Sequence, residues 1–104
     1  MQAKPTHYCE GQARLDPGPG FFRPDSRPAR DFGVLLLRWL AGQKAAAEPL
    51  AVLDGLAGCG VRALRYGLEA HATEIWANDA DPDRLPLLQR NLSAVGGARC
   101  SAIT

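Results

Sequence analysis

The chain has 104 residues, 46% hydrophobic and 22% charged, with a net charge of +1, which leaves room for one small domain and argues neither for nor against a nucleic-acid partner. No run of about 18 apolar residues is present, so no membrane-spanning helix is expected. The N-terminal MQAKPTHYCEGQ lacks the apolar stretch of a secretory signal, so a cytoplasmic location is expected.

The first 28 residues hold Pro5, Pro17, Pro19, Pro24 and Pro28 together with Gly11, Gly18 and Gly20. Proline fixes φ and removes a backbone donor, so an irregular N-terminal segment is expected over 1–28, with short strands at best around Gly11–Leu15 and Gly20–Phe22. Cys9, Cys59 and Cys100 have no C-x-x-C spacing, and His7 and His71 have no partner at ligand spacing, so neither a disulfide framework nor a metal site is expected. Residues 1–44 carry seven Lys/Arg against four Asp/Glu, the excess lying around Arg14, Arg23, Arg27, Arg30 and Arg38. A solvated face explains that excess as well as an RNA footprint does.

A helix is predicted from Asp31, an acid suited to the helix dipole, with apolar residues at 32, 35, 36, 39 and 40. Trp39 lies on that stripe and is expected in the core. Gly42–Pro49 reads as a connection. Leu50–Leu53 is a short apolar run ending at Asp54, the pattern of a buried parallel strand. A turn over Gly55–Gly60 leads into a helix over Val61–Ala70. Glu74–Ala77 reads as the next strand, ending at Asn78-Asp79. Asp81 then caps a helix with Pro82 at its first position and Leu85, Leu88, Leu92 and Val95 on one face. Pro86 requires either an irregular first turn or regular helix beginning near Leu85. Arg99–Thr104 begins a third strand. This β–α–β–α–β order is the opening of a doubly wound, Rossmann-like α/β sheet of about three strands, in a domain over 29–104.

The strongest chemical signal is Val52–Gly60, V-L-D-G-L-A-G-C-G. Asp54 closes a strand, and Gly58 and Gly60 let the backbone turn sharply and approach a ligand. Gly58–Ala63 also fits G-x-G-x-x-[GA], so a nicotinamide oxidoreductase is an alternative. A pyrophosphate needs open amides, whereas S-adenosyl-L-methionine presents an amino-acid head and a sulfonium that favour an acid such as Asp54. Asp79 ends the second strand of this unit, 19 residues after Gly60, where a carboxylate accepts from both ribose hydroxyls of an adenosine.

Glu10–Ala13 (EGQA), Gly20–Pro24 (GFFRP), Ala29–Arg38 (ARDFGVLLLR), Leu53–Glu69 (LDGLAGCGVRALRYGLE) and Trp76–Asp79 (WAND) occur in one order. Together they resemble the N-terminal half of the tRNA (guanine(26)-N(2))-dimethyltransferases, over about residues 10–97. The resemblance implies a class I methyltransferase fold, S-adenosyl-L-methionine as cofactor and tRNA as partner. It also implies cofactor-binding roles for Arg30, Asp54, Gly58, Gly60, Arg62 and Asp79. Arg30 stands where the family has the arginine of an N-R-D tripeptide, with Ala29 in place of the asparagine, and R-P-D at Arg23–Asp25 replaces the usual N-P. Arg65 is read as a solvent-facing helix residue. The family's Asp-Pro-Phe/Tyr-Gly motif, which follows its fourth strand, does not occur among the 104 residues, so a catalytic residue is expected beyond them and the chain alone is expected to be inactive. A decayed, non-catalytic cofactor-binding module is a further alternative.

Overall fold

The computed structural model describes residues 7–45 and 48–104; Pro5 of the expected N-terminal loop, and positions 46–47 of the expected connection, lie outside them. The N-terminal segment forms an antiparallel hairpin, β1 (Tyr8–Glu10) and β2 (Ala13–Leu15), turning at Gly11 with φ +55. No strand forms at Gly20–Phe22. After a 3-10 turn at Pro24–Ser26, helix α1 spans Arg27–Gln43. It starts one turn before the predicted Asp31, because Pro28 sits in its first turn, where the missing N–H costs nothing.

The remainder alternates: β3 (Ala51–Asp54), α2 (Val61–Glu69), β4 (Glu74–Asn78), α3 (Leu85–Asn91) and β5 (Ala98–Ser101). The strands pair in parallel in the order β3-β4-β5, with Val52 opposite Ile75 and Ile75 opposite Ala98. The expected β–α–β–α–β order is therefore present. Asp81 caps as predicted, its carboxylate accepting from the Asp83 N–H at 2.9 Å, but it caps a 3-10 turn at Pro82–Arg84. Regular helix follows at Leu85, which places Pro86 in a first turn that tolerates it.

Two right-handed crossovers running in one direction across a sheet put both helices on the same face. Ile75 and Ala77 of β4 are accordingly buried with Leu64 of α2 and Leu88 of α3, while Glu74 and Trp76 are exposed. Gly67 of α2 sits so close to the sheet that a Cβ there would come 2.9 Å from Ile75 Cδ1. Leu53, in the run read as a buried strand, is 72% exposed, because no described residue covers the opposite face. The hairpin joins the same core through Ala13 and Leu15.

Helix α1 corrects a second expectation. Val34 is buried, Leu37 and Ala41 pack against the core, and Gly33 lies against Tyr66 of α2, while the predicted stripe of Phe32, Leu35, Leu36, Trp39 and Leu40 faces outward. Trp39 is 61% exposed. Period alone reports that a helix has an apolar face, and here the face that meets α2 is the other one.

These burials set the expected costs. Ile75→Ala, emptying a fully buried site, is expected to destabilise by about 2–5 kcal/mol, whereas Trp39→Ser is expected to change stability by less than about 0.5 kcal/mol. Urea unfolding of both variants measures the contrast; equal losses would mean that the α1 stripe is packed.

Candidate functional site

The site is built at the C-terminal end of β3. The backbone from Asp54 to Gly60 passes through two left-handed conformations, Gly58 at φ +57 and Gly60 at φ +90, before α2 begins. A Cβ on Gly60 would also lie 2.8 Å from Leu88 Cδ1, so glycine there serves packing as well as the turn. A Cβ on Gly58 would meet nothing within 4 Å, so this stretch of backbone is open to a ligand. The loop is pinned from two sides. The Ala57 N–H donates to the Asn78 carbonyl at 2.8 Å, and Asn91 Nδ2 donates to the Cys59 carbonyl at 2.8 Å and to the Asp16 carbonyl at 2.7 Å.

Two carboxylates face this loop. Asp79 accepts from the Gly58 N–H through Oδ2 at 2.9 Å and from the Asp81 N–H through Oδ1 at 3.0 Å. It is thereby fixed across the glycine turn from the end of β3. Asp54 is the less satisfied of the two: its Oδ2 is buried with no hydrogen-bond partner. Burial pushes its carboxyl above the ordinary aspartate value, the Leu56 N–H and the Arg62 charge oppose that rise, and the Asp79 charge adds to it.

A groove of about 190 Å³ runs between the loop and the segment before α1, lined by Phe21–Arg23, Ser26, Arg30, Leu56–Cys59, Val61 and Arg62. Of the six predicted cofactor residues, Arg30, Gly58 and Arg62 line this groove, while Asp54, Gly60 and Asp79 lie in or beside the loop that forms its wall. A larger cavity, about 440 Å³, lies apart, between Asp16–Gly20 and the start of α3, and contains none of the six.

Arg30 is buried, and most of its donors are committed. It makes a bidentate pair with Glu10, Nε–Oε2 at 2.8 Å and Nη2–Oε1 at 2.7 Å, and donates to the carbonyls of Arg23 at 3.2 Å and Pro24 at 3.4 Å. Of the five N–H groups of a guanidinium, one on Nη1 is left uncommitted.

The reading of Arg65 as a solvent-facing residue is wrong. Its side chain is 4% exposed, and it donates to Glu69 at 2.7 and 2.9 Å, to Asp31 at 2.7 Å and to Glu10 at 3.0 Å. Asp31, read as a dipole residue, is instead the rim member of this network. Glu10, Arg65 and Glu69 are the residues that sequence reasoning missed. The i,i+4 spacing of Arg65 and Glu69 was a usable signal; the third partner, 55 residues before Arg65, was not.

A family profile described as N2,N2-dimethylguanosine tRNA methyltransferase matches residues 10–100. The chain belongs to this family. The tRNA (guanine(26)-N(2))-dimethyltransferase of Pyrococcus furiosus is 39% identical over 74 residues, 71% of this chain and 18% of that protein. Trm1 from Pyrococcus horikoshii, solved with S-adenosyl-L-methionine, superposes with a TM-score of 0.70 at 33% identity, over 85% of this chain and 23% of that one. Trm5b from Pyrococcus abyssi gives a TM-score of 0.71 at 20% identity, over 97% of this chain and 29% of that one, and shows the shared class I methyltransferase fold. The chain thus spans about a fifth of the length of the curated relatives that it matches. Among the described residues, no helix is long and apolar enough to cross a membrane.

The state of Asp54 is testable by pH. Because its folded value lies above the unfolded 3.8, the stability linked to its proton is fully present below 3.8 and is lost as pH rises through the folded value. Asp54→Asn is therefore expected to raise Tm at pH 7 and to gain nothing at pH 3. Thermal melts at the two pH values decide it; an equal gain at both would mean that the carboxyl is not held in a burial that disfavours its charge.

Proposed function

We propose that this chain is the S-adenosyl-L-methionine-binding part of a cytoplasmic tRNA (guanine(26)-N(2))-dimethyltransferase. The observation that carries the reading is the buried, unpartnered Asp54 Oδ2 beside the open backbone of Gly58. A buried anionic acceptor without a donor costs stability unless a ligand supplies one. An α-ammonium does so, and a nearby sulfonium gains from the same charge. A pyrophosphate would be repelled by it, which disfavours the nicotinamide alternative. The family's solved member with S-adenosyl-L-methionine supports the same choice.

The roles follow from this placement. Asp54 accepts from the ammonium of the amino-acid head. Arg30, through its remaining N–H, and Arg62 receive its carboxylate. Gly58 and Gly60 let the ligand lie against the backbone, and Asp79 accepts from the ribose hydroxyls with lone pairs that the Gly58 and Asp81 amides leave free. The segment before α1 contributes Phe21 and Phe22 to the groove, so it and the domain over 29–104 act as one binding unit. When bound, S-adenosyl-L-methionine supplies an electrophilic methyl group. The acceptor amino nitrogen of guanine must be oriented and its proton removed, a task assigned to no residue of this chain.

Calorimetric titration tests the reading. S-adenosylhomocysteine is expected to bind more tightly than NAD, and Asp79→Ala to weaken it by about tenfold or more, the worth of a charge-assisted bond to the hydroxyls. Tighter NAD binding would overturn the cofactor assignment. An Asp79→Ala affinity within about twofold of the parent would overturn the ribose assignment.

A further inference from the structure

Arg30 reaches the groove with little freedom, and the residue responsible lies outside it. Glu10 on β1 has a side chain with 0% exposure. It grips the Arg30 guanidinium through both carboxylate oxygens, while the Tyr8 hydroxyl donates to its Oε1 at 2.7 Å and Arg65 Nη1 donates to its Oε2 at 3.0 Å. The Arg30 guanidinium also lies over the Phe22 ring, 5.1 Å from its centroid, and Tyr8 meets the same ring edge-on at 4.9 Å. Burial pushes the Glu10 carboxyl up, but the bonds from Arg30, Tyr8 and Arg65 outweigh it and hold it down at about 2, so Glu10 is an anion at any working pH.

A long arginine side chain otherwise samples many rotamers, and freezing it costs affinity at the moment of binding. Fixing two faces of the guanidinium on a buried carboxylate removes that cost in advance and aims the one uncommitted Nη1 N–H. We propose that Glu10, supported by Tyr8, is a positioning residue for the cofactor's amino-acid carboxylate, acting through Arg30. The proposal rests on the groove being the S-adenosyl-L-methionine site. It assigns a function to the EGQA segment beyond holding the hairpin: Glu10 does not touch the ligand, yet it sets which part of the ligand is recognised.

The test separates positioning from general support of the fold. Calorimetry measures S-adenosylhomocysteine, which has the amino-acid head, against adenosine, which lacks it, on the parent, Glu10→Gln and Tyr8→Phe. Glu10→Gln keeps the size but loses the charge and one acceptor. It is expected to weaken S-adenosylhomocysteine by about tenfold while leaving adenosine within about twofold. Tyr8→Phe, which leaves the ion pair in place, is expected to give the same selective loss at about two- to threefold, and it carries the test if Glu10→Gln does not fold. Equal weakening of both ligands would make Glu10 a purely structural residue and overturn the proposal, as would no change in either. A parent that binds adenosine but gains nothing from the amino-acid head would overturn it too. A parent that binds neither ligand would overturn the cofactor reading on which the proposal stands.

Discussion

Two guanidinium groups, Arg30 and Arg65, are buried where the hairpin, α1 and α2 meet, and the surrounding structure is arranged to satisfy them. A buried charge without partners is too costly for a domain of this size, so each guanidinium needs acceptors in place. Glu10 supplies acceptors to both arginines from β1, Asp31 from α1 and Glu69 from α2. The hairpin turn obeys the same constraint. Gly11 lies so close to the network that a Cβ there would fall 2.5 Å from Glu69 Oε2, and the next amide, Gln12 N–H, donates to that oxygen at 3.1 Å. The segment EGQA is thus one acceptor, one close approach, one donor and one core residue in succession. Because Arg30 also lines the groove, the element that joins three pieces of chain is continuous with the wall of that groove.

The network and the glycine loop work by opposite means. In the network every charge has a partner, and the result is rigidity. At the loop, Asp54 retains an unpartnered buried oxygen and Gly58 an open backbone, features that a fold optimised only for stability would remove. The contrast between a support whose charges are all paired and a loop that is incompletely satisfied is what the proposed ligand-binding role requires. The α1 stripe and the rear of the sheet, with Leu53 and Trp76, expose apolar area of a kind that monomeric soluble domains rarely show.

Much of this was legible in the sequence, for identifiable reasons. A strand ending in Asp54, another ending just before Asp79, glycines at 58 and 60, and a capped start at Asp81 are local signals, and local signals survive without knowledge of the fold. What failed was partnership. The α1 stripe has the right period, but which face of a helix is covered depends on what packs against it, and α2 met the side bearing Arg30, Val34 and Leu37. Leu53 sits in an apolar run, but a strand is buried on both faces only when both are covered. Arg65 was misread for the same reason: its acceptors come from residues 10, 31 and 69, and only the last is near enough in sequence to suggest itself.

The claim that the buried charges act as one unit is tested most directly by a double-mutant cycle between Glu10→Gln and Arg65→Met, read by urea unfolding at pH 7. If Glu10 and Arg65 belong to a single network, the second substitution costs far less once the first has been made, with a coupling energy of about 1–3 kcal/mol. Additive losses, agreeing within about 0.5 kcal/mol, would contradict it and reduce the cluster to independent ion pairs.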